Sequence, residues 1–200
     1  MAAANSSLGF DLVEYSSTGD RGEAKVGLTG DLGTFGPVTV VRSTVYTPLN
    51  RGMDTVRLIG PALPETLFRG KRRMGKPSLF KAELTLAGKP AALRFNSRAL
   101  RKEARRLHIG YEGRSYVYST GGLGLPGVLE RDGVRVEIEM ARHVPPSDYV
   151  HPGTATGPVD AVDLAIAIVM EEVDTDVLTL GGAAMSSPFA LMHHLSDRAE

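Results

Sequence analysis

Cysteine and tryptophan are absent from this 200-residue chain, and aromatic bulk comes from six Phe and six Tyr alone. The lack of Cys excludes disulfides, thiolate metal sites and Cys nucleophiles, and suits a reducing compartment. Net charge is also missing, because 23 Lys and Arg offset 23 Asp and Glu. Residues 1–10 carry neither the basic nor the apolar region of a secretory leader. No apolar run reaches the roughly 20 residues that a membrane helix needs. A cytoplasmic location is therefore expected, and the sequon Asn5-Ser6-Ser7 is read as chance.

Catalytic signatures are missing too. There is no Gly-x-Ser-x-Gly elbow and no His-Glu-x-x-His helix. Glycines 27, 30, 33 and 36 recur every third residue, but the segment lacks the Gly-Lys-Ser/Thr ending of a phosphate loop, so 25–36 reads as a turn-rich loop. Gly122-Leu123-Gly124-Leu125-Pro126-Gly127 spells Gly-x-Gly-x-x-Gly, yet Pro126 and a following strand stand where a dinucleotide site needs a helix N-terminus. The five histidines are scattered, and His193-His194 would diverge on a helix. His143, Asp148 and His151 surround Pro145-Pro146 and are the residues an enzymatic reading would use; that reading ranks last. No cofactor and no metal is expected.

What the chain does contain is one segment apolar nearly all the way round. Gly157-Pro158 breaks the preceding segment, Asp160 is placed to cap a helix, and Asp163 follows at near capping-box spacing. From Leu164 to Met170 there is no polar side chain. The β-branched Ile166, Ile168 and Val169 would also suit a buried strand, but Ala, Leu, Met and Glu favour a helix over about 161–173.

The remainder reads as strands and turns. Pro37–Tyr46 and Thr55–Ile59 are rich in β-branched residues. Three hairpins are expected: Leu79–Ala87 with Ala91–Phe95 across Gly88-Lys89-Pro90, 107–111 with 115–119 across Glu112-Gly113-Arg114, and 128–130 with 134–140 across Arg131-Asp132-Gly133. In the last strand Val134, Val136, Ile138 and Met140 share one face, and Arg135, Glu137 and Glu139 the other, giving a sheet with one wet face. Residues 1–24 read as a loose lead-in, with Phe10, Leu12 and Val13 able to form a short strand. Residues 97–106 fit either a helix or a charged edge strand. Residues 181–200 form a C-terminal extension, with a short helix over Pro188–Leu195.

A helix laid on an open sheet would keep a polar side. A helix polar on no side must be surrounded, so the fold expected is mainly β (α+β): an antiparallel β-barrel over 25–180 enclosing a hydrophobic C-terminal helix.

Charge is distributed unevenly along the chain. Residues 69–106 hold 13 of the 23 bases and two acids, whereas 159–200 hold eight acids and one base. Arg69, Lys71, Arg72, Arg73 and Lys76, with Arg98, Arg101, Lys102, Arg105 and Arg106, form the best candidate site, a patch that would attract phosphates through charge. The bland alternative is a solvated barrel face balanced by the acidic C-terminus, in this chain or a neighbouring subunit. Only Phe68, Phe80 and Phe95 interleave with the bases, which argues against nucleic-acid stacking.

Residues 94–174 resemble the tubby-like superfamily, which includes the plant LURP-one-related proteins and the phospholipid scramblases. The resemblance rests on the basic region Arg101–Leu107, the Tyr-Glu-Gly-Arg-Ser-Tyr hairpin at 111–116, the Glu-Arg-Asp-Gly hairpin at 130–133 and the helix from Asp163 to Val173. It implies a barrel closed around the helix. Some members bind phosphoinositides through basic residues on the barrel, so it implies a non-catalytic module docking on anionic surfaces through its basic face. The second expectation is a structural or assembly protein that pairs its basic face with an acidic tail.

Overall fold

The computed structural model describes residues 7–18, 24–44, 53–96, 105–120, 125–145 and 148–179. Among these residues the strands are β1 (Ser7–Thr18), β2 (Ala24–Asp31), β3 (Pro37–Thr44), β4 (Met53–Ile59), β5 (Thr66–Arg73), β6 (Lys76–Pro77) and β7 (Glu83–Leu86). They continue with β8 (Lys89–Arg94), β9 (Leu107–Tyr111), β10 (Arg114–Thr120), β11 (Gly127–Arg131), β12 (Val134–Ile138), β13 (Arg142–Val144) and β14 (Asp148–Thr156). One helix follows, α1 (Ala161–Glu171).

Each strand of the ring pairs antiparallel with the next, and β14 pairs back onto β1 from Ser7↔Thr156 to Val13↔Val150, closing a twelve-strand up-and-down barrel. Strands β6 and β13 lie off this ring, on β5 and β14 respectively. Closure leaves no open sheet edge in the ring.

The helix occupies the interior. From Leu164 to Met170 no residue is more than 2% exposed. It touches β4 and β5 on one side and β11 and β12 on the other. Its start is the expected capping box: the Asp160 carboxylate accepts from the amides of Val162 and Asp163, and the Asp163 carboxylate accepts from the Asp160 amide. The inward residues of each strand, such as Leu12, Leu28, Val40, Leu58, Phe68, Leu84, Ile109, Tyr116 and Val136, pack around it in one core.

Several sequence expectations need correction. The short strand expected at Phe10, Leu12 and Val13 is present, but it extends over 7–18 and is the strand that closes the barrel rather than part of a loose lead-in, with Phe10 and Leu12 buried. The first part of the glycine segment, 25–31, is also strand, within β2, and only 32–36 form the expected turn, a single 3-10 turn at Gly33–Phe35. A side chain at Gly27 would lie 1.9 Å from the Val40 carbonyl oxygen, and one at Gly30 2.3 Å from that of Asp11, so these glycines allow neighbouring strands to approach. The basic run 69–73 ends strand β5, and the candidate His–Asp loop continues into the nine-residue strand β14. Strand β12 stops at Ile138, leaving Met140 exposed rather than on the inward face. The helix ends at Glu171, two residues short of Val173. Residues 97–104 and 188–195 lie outside the described residues.

An up-and-down barrel has two ends with different connections. Short links (32–36, 60–65, 87–88, 112–113, 132–133) join the strands at the end where α1 begins. Ala87-Gly88 and Glu112-Gly113 both have positive φ at their two central positions, the turn that matches strand twist. The links 19–23, 45–52, 74–82, 95–106, 121–126 and 139–147 are longer as a set and leave the opposite end, the mouth, where α1 finishes. Long connections carried by a rigid scaffold are where binding residues concentrate.

Candidate functional site at the barrel mouth

The helix finishes with Glu171 and Glu172 and has no base in its last turn. Those acids add to the negative end of the helix dipole. The opposing charge comes from the strands. Lys76 on β6 donates to the Glu171 carbonyl at 2.7 Å and lies 3.8 Å from the Glu172 carboxylate. Arg42, at the end of β3, donates to Glu172 at 2.6 Å. Arg73 sits 3.6 Å from Asp174, and Arg72 bonds at 3.0 Å to the buried Asp54. The segment after the helix is tied to β6 by the bond from the Asp174 amide to the Pro77 carbonyl and by the bridge Ser78↔Asp174. The β5–β6 hairpin thus folds against the helix end.

A second group lies beside it. His151, pointing inward from β14, places Nε2 3.1 Å from the Glu14 carboxylate and Nδ1 3.9 Å from that of Glu171. The Glu171 side chain is 13% exposed. Burial pushes its carboxyl up to about 8, with Glu172 adding to the rise and Lys76 opposing it. Glu171 is therefore predominantly protonated at pH 7. Burial also raises the phenols of Tyr118 and Tyr15, and the charges of Glu171 and Glu172 respectively reinforce those rises.

Between the β1–β3 wall and the helix end is a cavity of about 420 Å³, lined by Glu14, Tyr15, Arg42, Lys76, Tyr149 and Glu172 among others. Its size lies within the usual range for small-molecule sites, and barrel mouths are a common location for them. Among the described residues Arg42 commits one of its five N–H donors and Lys76 one of its three. Glu14 bonds only His151 among the described residues. The site can therefore receive an anionic group on its inner wall and a cation at its rim.

The seven of the ten expected basic residues that are described do not form one patch. Arg98, Arg101 and Lys102 lie outside the described residues. Arg72, Arg73 and Lys76 engage Asp54, Asp174 and Glu172 as above, and Arg69 lies 3.7 Å from Glu83. Lys71 is exposed, with no acid partner among the described residues. Strand alternation separates the last two: Arg105 falls on the inward side with Leu107 and Ile109 and is 1% exposed, so it is removed from any surface role. Arg106 points outward and lines a groove of about 600 Å³ over β10–β12, whose Arg131 and Arg135 are paired with acids. His143 rests edge-on against Tyr149, and neither it nor His151 bonds Asp148 among the described residues. His193 and His194 lie outside the described residues.

Sequence reasoning missed Arg42, Glu14, Tyr15, Tyr149 and Glu172 as site residues. The available signal was the acidic end of a helix without a base, which requires cations from elsewhere. Among the described residues no three His, Asp or Glu are grouped to hold a metal, and no helix is long and apolar enough to cross a membrane. No family model, curated protein or solved structure matches this chain.

Proposed function

We propose that this chain is a non-catalytic binding barrel, of tubby-like or LURP-one-related kind, that docks on anionic phospholipid surfaces by the rim of its mouth. One observation carries the reading: apolar and unpaired basic side chains gather at the same end. Of the seven exposed large apolar residues described, Met74, Phe80, Leu125, Met140, Val144 and Tyr149 lie on mouth connections or strand ends, and only Ile59 does not. Met74 is 85% exposed. Lys71, Lys81, Arg94 and Arg142, exposed and without acid partners among the described residues, lie at the same end. Apolar groups that enter the headgroup region, surrounded by bases that meet anionic lipid, are what an interfacial docking face requires. The cytoplasmic leaflet carries such lipid, in keeping with a cytoplasmic location.

The alternative, assembly by pairing the basic face with the acidic tail of a second copy, has less support. Arg42, Arg73 and Lys76 already pair with Glu172 and Asp174 of their own chain.

Vesicle flotation tests the proposal. The protein should float with vesicles of phosphatidylcholine plus phosphatidylserine and stay behind with phosphatidylcholine alone. Each surface base contributes about 1 kcal/mol, so Lys71→Ser/Lys81→Ser should weaken binding roughly 30-fold. Met74→Ser should weaken it further. Binding indifferent to anionic lipid overturns the reading. A salt-sensitive dimer in light scattering, with no flotation, would favour assembly instead.

A further inference from the structure

We infer that the mouth cavity is a binding site for a small zwitterion with a phosphate at one end and an ammonium at the other. The inference is independent of rim docking, because Lys71, Lys81 and Met74 do not line this cavity.

The charge layout carries it. On the inner wall Arg42 and Lys76 face one ionised carboxylate, Glu172. The neighbouring Glu171 is withdrawn behind Lys76 and His151 with only 13% of its side chain exposed. The inner wall therefore holds one positive charge in excess, within a recess where solvent screens it less than at the surface. At the entrance stands Glu14, half-exposed, with one carboxylate oxygen on His151 and the other unengaged among the described residues. Tyr15 and Tyr149 also line the cavity. The cavity is thus polarised, positive inside and negative at its opening.

Donor count selects the anion. Arg42 and Lys76 retain four and two uncommitted N–H groups among the described residues. A carboxylate offers about four lone-pair positions, whereas the three terminal oxygens of a phosphate use more donors, and the planar guanidinium fork suits them. The amine then reaches back to Glu14. A bare phosphate would leave Glu14 unmatched and would suffer its repulsion. That difference separates a zwitterion site from a general anion site.

Titration calorimetry on the full chain with O-phosphoethanolamine, inorganic phosphate and ethylamine tests this. O-phosphoethanolamine should bind at least about tenfold more tightly than phosphate, and ethylamine should give no heat. Glu14→Gln, at a half-exposed position, should lower the zwitterion's affinity to that of phosphate while leaving phosphate binding unchanged or improved. Arg42→Lys keeps the charge on Glu172 but removes the fork, and should weaken both phosphate ligands. Within that outcome, no displacement of O-phosphoethanolamine by phosphatidylethanolamine vesicles assigns the natural source to a soluble phosphomonoester, and displacement assigns it to a lipid headgroup, whose phosphodiester presents two terminal oxygens instead of three. Phosphate binding as tightly as O-phosphoethanolamine, a preference unchanged in Glu14→Gln, or no binding of O-phosphoethanolamine at millimolar concentration overturns the inference.

Discussion

Arg131→Met should be among the most damaging single changes outside the apolar core. Asp163 is the third residue of α1, and its side chain is fully buried. Arg131, on β11, grips it with two bonds, Nε to one carboxylate oxygen at 2.6 Å and Nη2 to the other at 2.8 Å, and also reaches the Pro158 carbonyl at 3.0 Å. The same carboxylate caps the helix through the Asp160 amide. Removing the arginine leaves a buried carboxylate with one amide for company, a situation that costs about 3–5 kcal/mol. A domain of this size has roughly 5–15 kcal/mol in total. The neighbouring Arg114–Asp160 pair is the natural control: both side chains are more than a third exposed, so Arg114→Met should cost only about 0.2–1 kcal/mol. Arg131→Met/Asp163→Asn should recover part of the loss, because the amide oxygen still caps while the unpaired charge is gone. Urea unfolding followed by circular dichroism measures all three, with an unchanged slope required for the comparison. If Arg131→Met costs no more than Arg114→Met, or the double variant is as unstable as the single, the pair does not hold the helix in the barrel.

Two further outcomes follow from the same structure. Ile168→Asp puts a charge at a fully buried helix position ringed by strands and should leave the chain unfolded by circular dichroism; a folded variant would mean the helix is not central. Glu171 keeps its proton in the folded state up to about pH 8, whereas the unfolded chain releases it near 4.5. Across that window the folded state binds more protons, so stability falls as pH rises, by up to about 1.4 kcal/mol per pH unit. Glu171→Gln should flatten this slope and be the more stable protein at pH 8, and parallel pH profiles for the two would refute a neutral buried Glu171.

The core helix, its Asp160–Asp163 cap and the three tight hairpins are legible in the sequence because each rests on neighbours within four residues or on strict alternation. An apolar segment with no polar side must be enclosed, and that alone implied a barrel. Strands β2 and β14, and β1 beyond a short stretch at Phe10, Leu12 and Val13, were not legible. Their glycines, prolines and polar residues contradict local propensity, and what makes them strands is pairing with partners far along the chain, as Val13 pairs with Val150. The basic run 69–76 was visible as charge but not as geometry. Arg73 and Lys76 meet the acids that follow the helix, Arg72 meets Asp54 on β4, and Lys71 stays exposed, because the acids they meet lie elsewhere along the chain. The mouth cavity was beyond any local reading, since Arg42 and Glu172 stand 130 residues apart. The sequence by itself determined which segments must be buried, because water excludes apolar surface whatever the topology. Tertiary structure decided which charges remain free, because only closing the ring from β14 to β1 brings Glu14, Arg42, Lys76 and His151 around one helix end.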